Sequence, residues 1–105
     1  KNGSFVSAPP GIIGMETAIS LSLNEFGLEK VLEKFTINPA HILNIPKGAL
    51  SIGVDADVTI IDINKNITVA ASGFFSKSRN TPFNKWKLKG AVITTIVAGR
   101  IIYNE

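Results

Sequence analysis

The sequence predicts an α/β fold in which helices come first and strands follow. Apolar residues recur every three or four positions as far as Pro46, and β-branched residues dominate two later runs. The chain has 105 residues, of which 45 % are hydrophobic and 18 % are charged. This composition excludes a disordered tail, because so much apolar surface drives collapse.

Three helices are predicted before Pro46. The first ends at Gly27 and carries Glu16 in its first turn, where a carboxylate complements the helix dipole. The second spans residues 28–35, and the third starts at Asn38-Pro39, which is typical of an N-cap followed by proline. The apolar stripe expected on the first helix consists of Met15, Ala18, Ile19, Ser22 and Phe26.

Strands are predicted after the helices. Residues 58–63 have the apolar, β-branched pattern of a buried strand, residues 64–66 predict a turn, and residues 67–69 a second short strand. Residues 91–103 predict a hairpin whose turn is Ala98-Gly99. Consecutive helices suggest the outer layer of a barrel, and these strands are too few for a closed sandwich. We therefore expect both halves to need upstream chain.

Few residues are candidates for chemistry. His41 is the one histidine, and we expect a structural or neutral role for it, since a histidine-built metal site needs several converging ligands. Asp55 and Asp57 have the spacing of an acid–base pair or a cation site, but capping and turn hydrogen bonds explain them more simply. Pro9-Pro10-Gly11 predicts a turn before a helix, and an N–H exposed there can hold an anionic or carbonyl oxygen.

The composition narrows the function classes. There are no cysteines, which excludes disulfides, thiol catalysis and cysteine-based zinc sites. The net charge of +3 is mild, and no apolar run approaches the roughly 20 residues of a membrane span. Much of the positive charge lies in one stretch, which we interpret as a solvated surface: Lys77, Arg79, Lys85, Lys87 and Lys89. We expect neither a nucleic-acid nor a membrane partner.

Four segments together resemble motifs of the cyclic amidohydrolases. Residues 8–17, APPGIIGMET, resemble the A-P-x-G-I-x-G-x-E-T segment of bacterial dihydroorotases, and residues 76–83, SKSRNTPF, are similar to the start of their tail motif. Residues 36–43 resemble the N-P-A-x-I-L helix, and residues 48–62 the G-x-x-x-x-G-x-D-A-D segment, which dihydropyrimidinases and allantoinases share. The chain thus resembles the C-terminal portion of a bacterial-type dihydroorotase.

The resemblance implies a (β/α)8 barrel with a small β-sandwich domain. Residues 1–46 would be the last barrel loop and helices, and residues 47–105 the C-terminal part of the sandwich. The implied activity is a cytoplasmic, zinc-dependent hydrolase with one or two zinc ions, which interconverts N-carbamoyl-L-aspartate and L-dihydroorotate in pyrimidine biosynthesis. The implied partners are that small-molecule substrate, the upstream part of the same polypeptide, a second copy in a dimer, and aspartate carbamoyltransferase.

The resemblance transfers few site residues. The family's metal ligands and general base lie in segments upstream of this chain, so no catalytic or metal-binding residue is assigned here, and the piece alone is expected to be inactive. The x-G pair of the first motif contacts substrate in the family, and it corresponds to Pro10-Gly11. Proline has no N–H, so Gly11 would be the donor and Pro10 would use its carbonyl or its ring.

Three alternatives stay open at this point. A non-catalytic dihydroorotase-like subunit that scaffolds a partner such as aspartate carbamoyltransferase would keep the same tail motifs. Another cyclic amidohydrolase, an allantoinase or dihydropyrimidinase, would share two of the four motifs. A free-standing small binding domain would melt cooperatively as residues 1–105 alone.

Overall fold

The computed structural model describes Ser4, residues 6–8 and residues 10–105. Within these residues, three helices precede a three-stranded antiparallel sheet of order β1-β2-β3, so the α/β prediction is confirmed. The helices are α1 Met15–Phe26, α2 Leu28–Phe35 and α3 Ile37–Leu43. The strands are β1 Val58–Thr68, β2 Lys87–Val97 and β3 Arg100–Asn104, and a short 3-10 turn covers Ala71–Gly73.

The first strand is longer than its prediction. β1 is one strand of 11 residues, not two short strands separated by a turn. Its pairing with β2 skips from Asp62 to Asn66, and Asp62 Oδ1 accepts the N–H groups of Asn64 and Lys65 at 2.8 and 3.2 Å. The Asp62 side chain satisfies the backbone inside this irregularity, so the turn-like residues interrupt the ladder without ending the strand.

The prediction that residues 58–63 are buried is wrong for the described structure. Ile60 and Ile63 are 50 % and 45 % exposed. The topology gives the reason, because β1 lies at an edge of the sheet and pairs with β2 alone among the described strands. An apolar run without alternation indicates strand propensity, but it does not reveal which faces are covered.

The hairpin prediction is confirmed. β2 and β3 pair antiparallel and are joined by Ala98 and Gly99, whose φ angles are +48° and +75°. Two positive φ values at the central positions are typical of a type I′ turn, whose twist matches that of the flanking strands. Gly99 adopts this conformation at little cost, whereas Ala98 is strained and relies on the strands to hold it there.

The end of α1 agrees with its prediction, but the start of α3 does not. Gly27 ends α1 as predicted, and its N–H donates to Leu23 O at 3.2 Å. The third helix starts at Ile37, with Thr36 before it, so Asn38 is not the N-cap. Pro39 therefore occupies the third helical position. Its missing N–H is tolerated there, because the first N–H groups of any helix lack intrahelical partners.

Helix α1 packs on β2 through polar side chains and through Leu23, which lies against Gly90. Ser20 is buried and its hydroxyl donates to Gly90 O at 2.7 Å, and the side chain of Asn24 exchanges hydrogen bonds with the backbone of Lys89. By contrast, Met15 and Phe26 of the predicted apolar stripe are 89 % and 55 % exposed. Both ends of the predicted stripe are therefore uncovered by the described residues, whereas Leu23, on its flank, lies against Gly90, where a Cβ would be 2.7 Å from Leu23 Cδ1.

The predicted division of the chain into a barrel part, residues 1–46, and a sandwich part, residues 47–105, stays a prediction. Over Ser4, residues 6–8 and residues 10–105, no helix has the length and apolar character needed to cross a membrane.

Candidate functional site

The loop that leads into α1 presents Gly11 to open space. Gly11 has φ +75°, in the left-handed region that favours glycine, and a Cβ built on it would meet no atom of the described residues within 4 Å. Pro10 and Gly11 are both exposed. Glycine is thus required here by the backbone conformation and not by crowding from the described residues, and the space beside it is accessible. Pro9, the first residue of the predicted turn, lies outside the described residues.

Asn80 holds this loop by two hydrogen bonds. Its side-chain Nδ2 donates to Gly11 O at 2.7 Å, and its backbone carbonyl accepts the N–H of Ile13 at 3.0 Å. A carbonyl oxygen only accepts, so the amide nitrogen of Asn80 must face Gly11. We refer to Asn80, Gly11 and Ile13 with these two bonds as the Asn80 clamp. It joins two segments that lie 69 residues apart in the sequence.

Glu16 fixes the segment that carries Asn80. The carboxylate accepts the N–H of Phe75 at 2.8 Å, and both the N–H and the hydroxyl of Ser76, at 3.0 and 2.7 Å. Burial raises the pKa of Glu16, but the hydrogen bonds from Ser76 and Phe75 and the charge of Arg79 outweigh it, so the pKa lies below its ordinary value of 4.5. The predicted dipole role is therefore incomplete, because Glu16 also binds a distant loop.

A second polar cluster lies elsewhere. Lys47 Nζ contacts Asp55 Oδ2 at 2.5 Å and Asp57 Oδ2 at 2.6 Å, while Asp57 Oδ1 accepts the N–H of Ala98 at 2.8 Å. We refer to Lys47, Asp55 and Asp57 as the Lys47 cluster. Hydrogen bonds to Asp55 and Asp57 raise the pKa of Lys47, and the bonds from Lys47 and Ala98 lower the pKa of Asp57.

The Lys47 cluster connects parts of the fold. Both carboxylates contact the ammonium group of Lys47, and that of Asp57 also accepts the N–H of Ala98 in the hairpin turn. These contacts agree with the structural interpretation of Asp55 and Asp57. A paired carboxylate with a lowered pKa is a weak proton acceptor, so the arrangement does not favour acid–base chemistry. His41 lies apart from it, exposed on α3.

The donor side chains that the structure describes do not form a metal centre. Among the residues that the structure describes, no three side chains of histidine, cysteine, aspartate or glutamate converge as metal ligands. An apolar cavity of about 380 Å³ lies beside α2 and β1, and Val31, Phe35 and Ile61 are among its lining residues. The lining of that cavity includes no residue of the Gly11 loop.

Comparisons with known proteins identify the family of this chain. Residues 4–102 match the model of the amidohydrolase family. The chain belongs to the amidohydrolase family. Over 110 residues it is 46 % identical to the dihydroorotase of Syntrophus aciditrophicus, and over 108 residues 46 % identical to that of Syntrophotalea carbinolica. These alignments cover 100 % and 98 % of the chain. The chain spans about a quarter of the length of these curated amidohydrolases, 26 % and 25 % respectively.

Solved amidohydrolase structures have the same local fold. The L-hydantoinase (dihydropyrimidinase) of Arthrobacter aurescens superposes with a TM-score of 0.80 at 28 % identity, over 92 % of this chain and 23 % of that one. A D-hydantoinase superposes equally well, with a TM-score of 0.80 at 22 % identity, over 92 % of this chain and 23 % of that one, and this second likeness supports the fold alone.

The sequence prediction missed the roles of Asn80 and Glu16. Asn80 lies inside the SKSRNTPF segment, but the segment was interpreted only as a mark of family resemblance. The signal that could have indicated its partner is that this motif and the APPG motif both point to the same family. Their contact follows from the fold and not from any spacing, because the hydrogen-bonded residues are 69 positions apart.

Proposed function

We propose that this chain is part of a dihydroorotase, which interconverts N-carbamoyl-L-aspartate and L-dihydroorotate. The observation that carries the proposal is the Asn80 clamp, which joins the two most dihydroorotase-like motifs around an exposed Gly11. The relatives named dihydroorotase, which align over the whole chain at up to 46 % identity, support it further. Pyrimidine biosynthesis in the cytoplasm is the corresponding cellular role.

In this proposal the chain forms the end of a (β/α)8 barrel and the C-terminal part of a β-sandwich. The exposed apolar side chains of α1 and the edge strand β1 support it, since Met15 and Ile60 are 89 % and 50 % exposed and offer surface to further polypeptide. The rest of the same polypeptide is the proposed partner for this surface. A dimer and an association with aspartate carbamoyltransferase remain part of the proposal on the resemblance alone.

Zinc is proposed for the whole enzyme and not for this chain. The described residues do not bring together a set of metal ligands, so one or two zinc ions would be held by other parts of the polypeptide. The part of the chemistry that these residues offer is the binding and orientation of the substrate.

The proposed substrate contact is the N–H of Gly11. That N–H and the carbonyl of Pro10 belong to the same trans peptide group. The N–H and C=O bonds of a trans peptide point in opposite directions. An oxygen of the substrate that accepts the Gly11 N–H therefore lies on the side away from the Pro10 carbonyl. Pro10, which has no N–H, would contribute the apolar face of its ring.

The decisive experiment is a turnover assay of the purified full-length protein that contains this chain. L-Dihydroorotate, allantoin, hydantoin and dihydrouracil are offered separately, and ring opening is followed for each. We expect dihydroorotate to be the preferred substrate by kcat/KM. Preference for another cyclic amide would replace the proposal with that relative's activity, and loss of all four activities together with binding of aspartate carbamoyltransferase would favour the scaffold alternative.

A glycine substitution tests the site itself. We expect Gly11→Val in the full-length enzyme to raise KM for dihydroorotate about tenfold or more, because a branched side chain disfavours positive φ and blocks the space beside the N–H. Zinc content measured by elemental analysis should not change. Gly53→Val is the matched control, since Gly53 also has positive φ, +90°, and open space around it. An equal KM in the two variants would contradict a substrate contact at Gly11.

A further inference from the structure

The Asn80 clamp acts on the peptide planes that follow Gly11. The Gly11 carbonyl belongs to the plane between residues 11 and 12, and the Ile13 N–H belongs to the plane between residues 12 and 13. Asn80 bonds to both, at 2.7 and 3.0 Å. Asn80 thereby holds the peptide planes 11–12 and 12–13. The Gly11 N–H belongs to the preceding plane, between residues 10 and 11.

Only the φ and ψ angles of Gly11 separate the held planes from the N–H that would contact substrate. Glycine has the softest torsions of any residue, and a Cβ at this position would meet no described atom within 4 Å. The space on the side-chain face of Gly11 is therefore free of described atoms. The hydrogen bond from Asn80 Nδ2 restricts the direction of the Gly11 carbonyl.

Asn80 is itself held in place. Its N–H donates to Ser78 Oγ at 3.1 Å, and Arg79 donates to the carbonyls of Ser76 and Ser78. Ser76 is bound by the carboxylate of Glu16, in the first turn of α1. The segment from Ser76 to Asn80 therefore connects the rigid helix to the loop that precedes it.

We propose that Asn80 is a positioning residue for substrate binding, because its side-chain amide holds the Gly11 carbonyl and so narrows the backbone rotation that would turn the Gly11 N–H away from the substrate. This inference rests on the proposed function. Asn80 binds the Gly11 carbonyl, so we expect it to act through Gly11 and not to contact the substrate itself. The expected consequence of losing the amide donor is weaker substrate binding with the chemical step preserved.

An isosteric pair of substitutions tests the proposal in the full-length enzyme. Asn80→Asp keeps the shape but removes the donor and places a carboxylate oxygen against the Gly11 carbonyl. Asn84→Asp is the matched control, because Asn84 Oδ1 accepts the N–H of Ala71 at 3.0 Å, and an aspartate can accept it equally. Both variants keep the backbone bond between Asn80 and Ile13, which protects the fold.

The primary readout is the separation of KM from kcat on dihydroorotate. We expect Asn80→Asp to raise KM about fivefold, the effect of losing roughly one neutral hydrogen bond, with kcat within about twofold of wild type. Asn84→Asp should leave both constants unchanged. Hydrogen exchange by mass spectrometry supplies a readout that is independent of activity, and exchange over residues 11–14 should accelerate in Asn80→Asp alone.

The outcomes separate the two proposals. An active wild type with equal KM values for the two variants overturns the positioning role alone. A fall in kcat and thermal stability with KM unchanged would assign Asn80 a structural role and overturn the proposal as well. A wild type that leaves dihydroorotate unchanged refutes the proposed function, and the positioning role in that reaction falls with it.

Discussion

Two glycine-containing regions of this molecule have similar backbone conformations and opposite surroundings. Gly11 has φ +75°, and a Cβ on it would meet nothing within 4 Å. Gly48 has φ +81°, and a Cβ on it would lie 2.8 Å from both the carbonyl carbon and oxygen of Thr36. Gly11, in the Asn80 clamp, therefore has free space on its side-chain face. Gly48, next to Lys47, lets two backbone segments approach closely.

The difference is what we expect if the first region binds substrate and the second stabilises the fold. Gly48 lies where the loop after α3 crosses the start of that helix, and Lys47 next to it holds Asp55 and Asp57 together. These contacts are satisfied within the chain. Gly11 has its carbonyl held by Asn80 while the space next to it stays open, which is the arrangement expected of a backbone group that meets a ligand.

The largest expected effect is on the Gly48 side of the comparison. Gly48→Ala should lower the free energy of unfolding of the full-length enzyme by about 3 kcal/mol, because left-handed strain and a backbone clash combine. Gly53→Ala, at φ +90° with open space, should cost only about 1 kcal/mol from strain alone. Chemical denaturation of both variants measures the difference, and equal losses would contradict the close crossing at Thr36.

A smaller effect is expected from the Lys47 cluster. Asp57→Asn removes the charge that attracts Lys47 but keeps an oxygen that can accept the Ala98 N–H. We expect a modest fall in melting temperature, less than for Gly48→Ala, because the pair is exposed to solvent. KM for dihydroorotate should stay at the wild-type value. A change in KM as large as that of Asn80→Asp would remove the distinction between the two regions.

The smallest expected effect is on the pH dependence of stability. Asp57 has a pKa lowered from 3.8 by its bonds to Lys47 and Ala98, so its contribution is present above pH 3.8 and is lost as the pH falls through the lowered value. The pKa of Lys47 is raised from 10.5, so its contribution is present below pH 10.5 and is lost above it.

The melting temperatures of wild type and Asp57→Asn, compared across this range, test that sign. Their difference should be constant between about pH 5 and pH 9 and should shrink below pH 3.8. A difference that grows on acidification would show that the Lys47 cluster does not hold Asp57 in its charged form.

The local patterns predicted the elements well where the cause was local. The hairpin was predicted from Ala98-Gly99 as a two-residue turn between two strand runs, and Gly99 supplies one of the two positive φ angles of the observed turn. The end of α1 was predicted from Gly27 for a similar reason. Such features depend on the torsions of a few neighbouring residues, which the sequence states directly.

The features that were missed depend on contacts between distant segments. An apolar stripe on α1 was predicted from residue spacing, whereas the described contacts with β2 include the bond from the Ser20 hydroxyl to Gly90 O and the Leu23 side chain against Gly90. Glu16 was assigned to the helix dipole, although its strongest contacts are with Phe75 and Ser76, about sixty residues later. The Pro10-Gly11 contact with substrate came from family resemblance, and it stays a prediction.

A structure of the full-length enzyme with bound dihydroorotate or N-carbamoyl-L-aspartate would show whether the Gly11 N–H binds substrate. We predict an oxygen of the ligand about 3 Å from the Gly11 nitrogen, with Asn80 Nδ2 still on the Gly11 carbonyl. A bound ligand whose oxygens all lie beyond hydrogen-bonding distance of the Gly11 nitrogen would contradict it.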